Sequence, residues 1–285
     1  MGVAGRGHGR KFRFKNKLVS LDASVIDLSL SIFDWAQFRR TKGTVKLHLL
    51  LDHDGYLPSF AVVTTGKTSD IKVARKLRYE WGTVVVMDRG YIDYEWFVRL
   101  THQTVYFITR LKDNASFEVV GTRSVPPGTN ARKDQIVFFH SHAVPDRDHF
   151  FRIVEVWDKE MQRSFTFLTN HLGFAATTIS AIYKDRWAVE LLFKAIKQNL
   201  KIKTFRGTNS NAVKTQIWTA LTAILVLHYL RLMPTFGWSL SNLAALLRHQ
   251  LFAYRDLFAW LNAPFEGPPQ LAGAAQAQLP LGITS

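Results

Sequence analysis

Residues 83–87 read Thr-Val-Val-Val-Met, a continuous apolar run that stops at Asp88, just before Gly90. Such a run suits a strand buried on both faces of a sheet, so the fold must cover that sheet on two sides. The neighbouring segments carry other periods. Residues 18–22 (LVSLD) read as a short strand, and residues 45–52 (VKLHLLLD) as a second that ends near the turn signal Asp54-Gly55. Residues 57–65 (LPSFAVVTT) return as the third strand of a hairpin. From Ser69-Asp70 to about Trp81 the apolar residues Ile71, Ala74 and Leu77 fall at helical spacing. Residues 92–103 read as helix and residues 105–111 as a fifth strand.

A meander of three strands followed by helix, strand, helix, strand is the order of the ribonuclease H-like fold, although several other mixed α/β folds can mimic it. From about Asn114 to Thr169 the pattern changes to short β-like pieces (FEVV, QIVFFH, FFRIVEVWD, SFTFLT) divided by turns such as Pro126-Pro127-Gly128. This reads as a β-rich insertion. Helical periodicity resumes over residues 177–200, 212–232 and 240–261. The expected organisation is a basic disordered leader (1–17), the first part of the α/β core (18–113), the β-rich insertion (114–172), a helical completion (173–262) and a disordered Ala/Gln/Pro/Gly-rich tail (263–285).

Thirty-seven Lys and Arg against 22 Asp and Glu leave a formal charge of +15, while 47% apolar residues support a real core. That combination excludes a disordered basic tail and points to a polyanionic partner, nucleic acid first and an anionic membrane surface as the competitor. With no cysteine there is no disulfide framework, zinc ribbon or thiol nucleophile, so any metal must sit on carboxylates or imidazoles. The most apolar stretch, residues 217–230, is shorter than the roughly 20 residues a bilayer span needs and lies between Lys214 and Arg231. It reads as a buried helix, no secretory segment precedes it, and a cytoplasmic, DNA-associated protein with no membrane partner is expected.

The helix expected over residues 177–200 carries the strongest functional pattern. At about 100° per residue, Tyr183, Arg186, Glu190, Lys194 and Lys197 share one stripe, and Ile182, Val189, Leu192, Ile196 and Leu200 fill the opposite side. Amphipathicity alone favours a solvated face with a Glu190–Lys194 pair at i, i+4. The strand order changes that balance. Asp22 on the first strand and Asp88 at the end of the fourth become neighbours at the centre of the sheet, with Glu190 arriving from the helix beside them. Three converging carboxylates raise one another's pKa unless a cation intervenes, and hard oxygen donors suit Mg²⁺ or Mn²⁺. Two such ions can activate an attacking oxygen and stabilise a leaving one.

The run Tyr183-x2-Arg186-x3-Glu190-x6-Lys197 (YKDRWAVELLFKAIK) resembles the Y-R-E-K signature of insertion-sequence DDE transposases of the insertion-sequence-four type. Leu21-Asp22-Ala23-Ser24 is similar to the block around the first family aspartate, and Val86-Met87-Asp88-Arg89-Gly90-Tyr91 to the block around the second. The flanking LSLSIFDWAQFRRTKGTVKLHLLLD and IKTFRGTNSNAVKTQIW also resemble family sequence, so the likeness covers roughly residues 18–260. It implies a ribonuclease H-like catalytic domain with a β-rich insertion between the second Asp and the Glu. It further implies that Asp22, Asp88 and Glu190 hold two Mg²⁺ ions, with Mn²⁺ able to substitute. Tyr183, Arg186 and Lys197, with Lys194 on the same stripe, would grip DNA at the transposon end. The implied activity is metal-dependent cleavage and strand transfer of an insertion sequence in DNA transposition and recombination, by a homodimer assembled on paired inverted-repeat ends and acting on target DNA.

Two departures qualify this reading. Ala23-Ser24 stands where the family usually has Ser-Thr, a mild change for metal binding. Only 21 residues precede Asp22, whereas family members carry a sizeable N-terminal region that helps recognise element ends; the leader's Arg6, Arg10, Lys11, Arg13, Lys15 and Lys17 suffice for non-specific phosphate contact. The expectation is an N-terminally truncated copy with catalytic residues present and end-specific binding weakened; the alternative is a catalytically silent DNA-binding remnant. Lesser candidates are His140 and His142 as a metal pair or surface residues, Trp157 or Trp187 as a base platform or core, Asp52 and Asp54 as turn residues, and Arg206 to Asn209 as a polar loop that touches DNA or joins two helices.

Overall fold

The computed structural model describes residues 11–28, 37–39, 42–139, 150–199, 207–250 and 252–265. Strands β1 (Leu18–Leu28), β2 (Gln37–Arg39), β3 (Lys42–Asp52) and β4 (Leu57–Thr65) pair antiparallel around β3. The chain then passes through α1 (Asp70–Ala74) to β5 (Val84–Met87), and through α2 (Tyr94–His102) to β6 (Tyr106–Arg110). β5 lies parallel to β1, and β6 parallel to β5. The meander and the two strand–helix–strand steps therefore follow the order read from the sequence. The continuous apolar run behaves as its composition requires. Val84 and Val86 face one side with Leu18 and Ile108, Val85 and Met87 face the other with Val19, Leu21, Phe97 and Phe107, and all four run residues are fully buried. Each such side chain contributes roughly 1.5–3 kcal/mol relative to exposure.

The segment expected as an insertion is built from β7 (Glu118–Thr122), β8 (Ala131–Phe138), β9 (Phe151–Asp158) and β10 (Arg163–Thr169). It is not a separate layer. β10 pairs antiparallel with β6, placing Phe167 opposite Arg110 and Thr169 opposite Ile108, so one sheet runs β2-β3-β1-β5-β6-β10-β9-β8-β7, with β4 also on β3. The physical reason is the edge of β6, whose backbone groups need partners. Asn170 seals the junction: its Oδ1 accepts from Phe107 N at 2.9 Å, and its Nδ2 donates to Val105 O at 2.9 Å. Further out, Arg152 is buried on β9 and donates to both carboxylate oxygens of Asp134 on β8, at 2.7 and 2.5 Å. Its remaining nitrogen reaches Phe174 O at 2.6 Å, tying these strands to the approach of the next helix.

That helix departs from expectation. Instead of one helix over residues 177–200, α3 (Ala176–Asp185) and α4 (Trp187–Asn199) are divided at Arg186. α3 packs Ile179 and Ile182 on the sheet face that holds Val84 and Val86. α5 (Ser210–Leu232), α6 (Leu240–Gln250) and α7 (Leu257–Asn262) follow, the last two replacing the single helix expected over residues 240–261. α1 is likewise shorter than expected, because residues 75–80 leave the helix and carry Leu77 and Tyr79 against the core beside Ala74.

Residues 11–17, expected as part of a disordered leader, pack instead. Phe12 and Phe14 lie on the α3 side of the sheet, Phe14 against Phe174 with ring centroids 4.8 Å apart, and Asn16 Nδ2 donates to Gly82 O at 2.6 Å. Aromatic burial supplies the ordering that their basic neighbours alone would not. Two compact units are distinguished, Met1–Leu225 and Val226–Ser285. In the second, Trp238, Leu243, Trp260 and Leu261 form a small core, and Trp238 Nε1 donates to Leu261 O at 2.7 Å. The tail over residues 266–285 lies outside the described residues, as do His140, His142 and Arg206. No helix among the described residues is long and apolar enough to cross a membrane.

Candidate active site

β1 and β5 are in parallel register with Leu21 opposite Met87, so Asp22 and Asp88 come one step further along two adjacent strands. Both keep the even-numbered parity of Leu18, Val84 and Val86 and therefore face the α3 and α4 side. Asp88 ends the strand in extended backbone, and its carbonyl accepts from Tyr91 N at 3.0 Å to open a single 3₁₀ turn. Glu190 stands in the first turn of α4. The bridge between these elements is Arg186. Its Nη1 donates to Asp22 Oδ2 at 3.1 Å, its Nη2 donates to Glu190 Oε1, and its side chain is only 10% exposed. The i, i+4 pair on this helix is thus Arg186–Glu190, not the Glu190–Lys194 pair weighed from the sequence.

The electrostatics follow from this crowding. Burial raises the Asp22 carboxyl from its ordinary 3.8 to about 6; the Ala23 N–H and Arg186 oppose that rise, and the Glu190 and Asp88 charges add to it. Asp22 Oδ1 accepts the Ala23 N–H at 2.8 Å. Tyr183 is half-buried against Phe167, with ring centroids 5.0 Å apart, and burial holds its phenol above the ordinary range despite the guanidinium of Arg186 5.5 Å from its ring centre. Lys197 Nζ turns back to β1 and donates to Val25 O at 2.8 Å. Lys194 is exposed on α4. Asp22, Glu190, Tyr183 and Arg186 are brought together, Asp88 acts on Asp22 through its charge, Lys197 stands further along β1, and Lys194 faces outward.

The expected metal triple is not a ready cage. Among the described residues no group of three His, Asp or Glu side chains is arranged to hold an ion, because the guanidinium of Arg186 already lies between Asp22 and Glu190. The donor set nonetheless fits a hard divalent cation. All three residues offer carboxylate oxygens, the donor type such an ion prefers. The raised Asp22 carboxyl has a testable consequence for stability. Because the folded pKa of Asp22 is raised, between about pH 4 and 6 the folded chain holds a proton the unfolded chain has lost, so this group's contribution falls as pH rises through that window. In EDTA at pH 8, Asp22→Asn is expected to melt a few degrees higher than the parent, with the gap closing below about pH 4. Equal melting temperatures at pH 8 contradict the assignment.

A profile of the transposase DDE domain matches residues 14–226. The chain belongs to that family. A protein named as a transposase in Sinorhizobium fredii is 29% identical over 253 residues, covering 87% of this chain and 69% of the relative. One named as a transposase for an insertion sequence element in Geobacillus stearothermophilus is 28% identical, covering 78% of this chain and 58% of the relative. A third, from a Synechocystis insertion sequence, is 26% identical over 75% of this chain and 60% of its own length. The chain thus spans about three-fifths to two-thirds of these relatives. Among solved structures, a piggyBac transposase synaptic complex with hairpin DNA aligns with 91% of this chain and 59% of its own, at TM-score 0.47 and 12% identity.

Several contributors were not singled out in the sequence. Asp185, Ser20, His53 and Tyr56 form a hydrogen-bonded cluster beside the site, and only the position of Asp185 next to Arg186 hinted at it. Asp52 behaves as the turn residue expected, its Oδ1 accepting from Asp54 N at 2.8 Å. Trp157 has the guanidinium of Arg132 4.1 Å from its ring centre, and Trp187 is exposed at the start of α4.

Proposed function

We propose that this transposase-family chain catalyses metal-dependent DNA cleavage and strand transfer of an insertion sequence, on a ribonuclease H-like core whose β7–β10 segment is the β-rich insertion. Asp22, Asp88 and Glu190 would hold two Mg²⁺ ions, with Mn²⁺ able to substitute. When bound, such ions supply charge that activates an attacking oxygen and steadies a leaving one. Arg186 offers a planar fork and Tyr183 a phenol to phosphate, while Lys197 and Lys194 add cations along the same helix. The observation that carries the reading is the convergence of Asp22 and Glu190 on Arg186, with Asp88 one strand away, inside the segment that matches the family profile.

The partners of this reading are the element's inverted-repeat ends and a target DNA, engaged by a homodimer in the cytoplasm and held at the nucleoid through DNA. The +15 charge supports a polyanionic partner. A silent DNA-binding remnant is the weaker reading, since all three carboxylates are retained in one neighbourhood. The test is strand transfer on labelled pre-cut ends taken from the sequence flanking the gene, in Mg²⁺, Mn²⁺ or EDTA. Joining in either metal and none in EDTA is expected. Binding of the ends with no joining in any metal would transfer the assignment to the remnant.

A further inference from the structure

Asp185 is buried immediately before the break between α3 and α4, and its carboxylate is fully engaged. Oδ2 accepts from His53 Nδ1 at 2.6 Å and from the Tyr56 hydroxyl at 2.9 Å, and Oδ1 accepts from Lys11 Nζ. His53 Nε2 in turn lies 2.7 Å from Ser20 Oγ. The Ser–His–Asp order invites comparison with a nucleophile relay, but Ser20 is wholly buried and the adjoining cavity of about 20 Å³ has room for about one water. No substrate reaches that hydroxyl, so the network must act on what it holds.

What it holds is the helix junction. Following the contacts, Ser20 on β1 leads to His53 in the β3–β4 turn, then to Asp185, then through one peptide bond to Arg186, and through its guanidinium to Asp22, two residues from Ser20 on the same face of β1. The chain of contacts closes on itself. Such a ring fixes both the depth and the rotation of residue 186 above the strand. The β3–β4 turn is itself strained, because Tyr56 sits at φ +55°, a conformation rare for a bulky side chain, and its hydroxyl is one of the three donors to Asp185. Burial opposes ionisation of Asp185, yet the His53, Lys11 and Tyr56 hydrogen bonds outweigh it and hold the carboxyl at about 2, so the clamp is charged at working pH.

We infer that Asp185 is a positioning residue, which, clamped by His53, Tyr56 and Lys11, sets where Arg186 and Glu190 stand over Asp22. The inference rests on the strand-transfer reading for its activity test, but its geometry can be tested without it. In Asp185→Asn the amide retains the volume of the carboxylate but cannot accept all three donors. The expected result is a single-turnover joining rate constant in Mn²⁺ lowered on the order of 10–100-fold, since small misplacements of reacting groups have effects of that size. The reaction amplitude per total protein and the affinity for the DNA ends should stay within about twofold. Lost folding would instead lower the amplitude.

Hydrogen exchange of the amides over residues 186–190 in the DNA-free protein, expected to quicken in Asp185→Asn, gives the second readout. His53→Leu, which removes one donor while leaving Asp185 ionised, is expected to reproduce both effects more weakly, and it serves alone if Asp185→Asn does not fold. A variant that joins at the parental rate constant, or that loses only amplitude, overturns the inference. If the parent itself joins nothing, the strand-transfer reading fails separately, and unchanged exchange at residues 186–190 then overturns the clamp.

Discussion

Glu190→Gln is expected to lower strand joining by on the order of 10³-fold, about 4 kcal/mol of transition-state stabilisation, while DNA binding stays within a few-fold. Gln preserves the volume on α4 and can still accept from Arg186, so the helix has no reason to move. What it removes is a negative charge that, with burial and Asp88, holds the Asp22 carboxyl above its ordinary range. Single-turnover joining in Mn²⁺ measures the first quantity, fluorescence anisotropy on labelled ends the second, and a thermal melt verifies the fold. Joining within tenfold of the parent removes Glu190 from the chemistry.

The second large effect is on stability, far from that chemistry. Asp134→Leu leaves Arg152, 2% exposed at its side chain, without its bidentate carboxylate. Breaking a buried pair in this way typically costs 3–5 kcal/mol, because the surviving charge stays desolvated, and roughly 2–4 °C of melting temperature goes with each kcal/mol. Adding Arg152→Met to Asp134→Leu is expected to recover part of the loss. Recovery stays incomplete because Arg152 also serves the carbonyls of His171, Leu172 and Phe174, which methionine cannot. Denaturant unfolding of the two variants decides the matter, and a single variant within about 1 kcal/mol of the parent contradicts the account.

Local pattern made the centre of the fold legible. The apolar run at residues 83–87 needed burial on two faces, and the aspartates at its end and in β1 shared a side because strands alternate with period two. Helical spacing put Arg186 and Glu190 on one stripe, which the shared guanidinium reflects. The break at Arg186 was not legible, since residues 177–200 keep helical periodicity throughout and the interruption coincides with contacts to residues 164 and 132 positions away. The same is true of β10. Its alternation announced a strand, but nothing local could say that β6, about 60 residues earlier, would be its partner. Phe12 and Phe14 were similarly masked by the Arg and Lys around them, and only the surface they cover explains their order.

The pairing of β10 with β6 also bears on how this protein could be rebuilt. A segment that merely looped out of the core could be traded between relatives as a cassette, with two cut points and little else disturbed. Here the graft would give β6 a foreign neighbour, and a poor match would leave an open strand edge that invites pairing with another chain. It would also replace the strand from which the chain runs on into α3, and so the rail that leads to Arg186 and Glu190. Chimaeras that exchange residues 114–172 should therefore aggregate or lose the site unless β6 and β10 are exchanged as a matched pair.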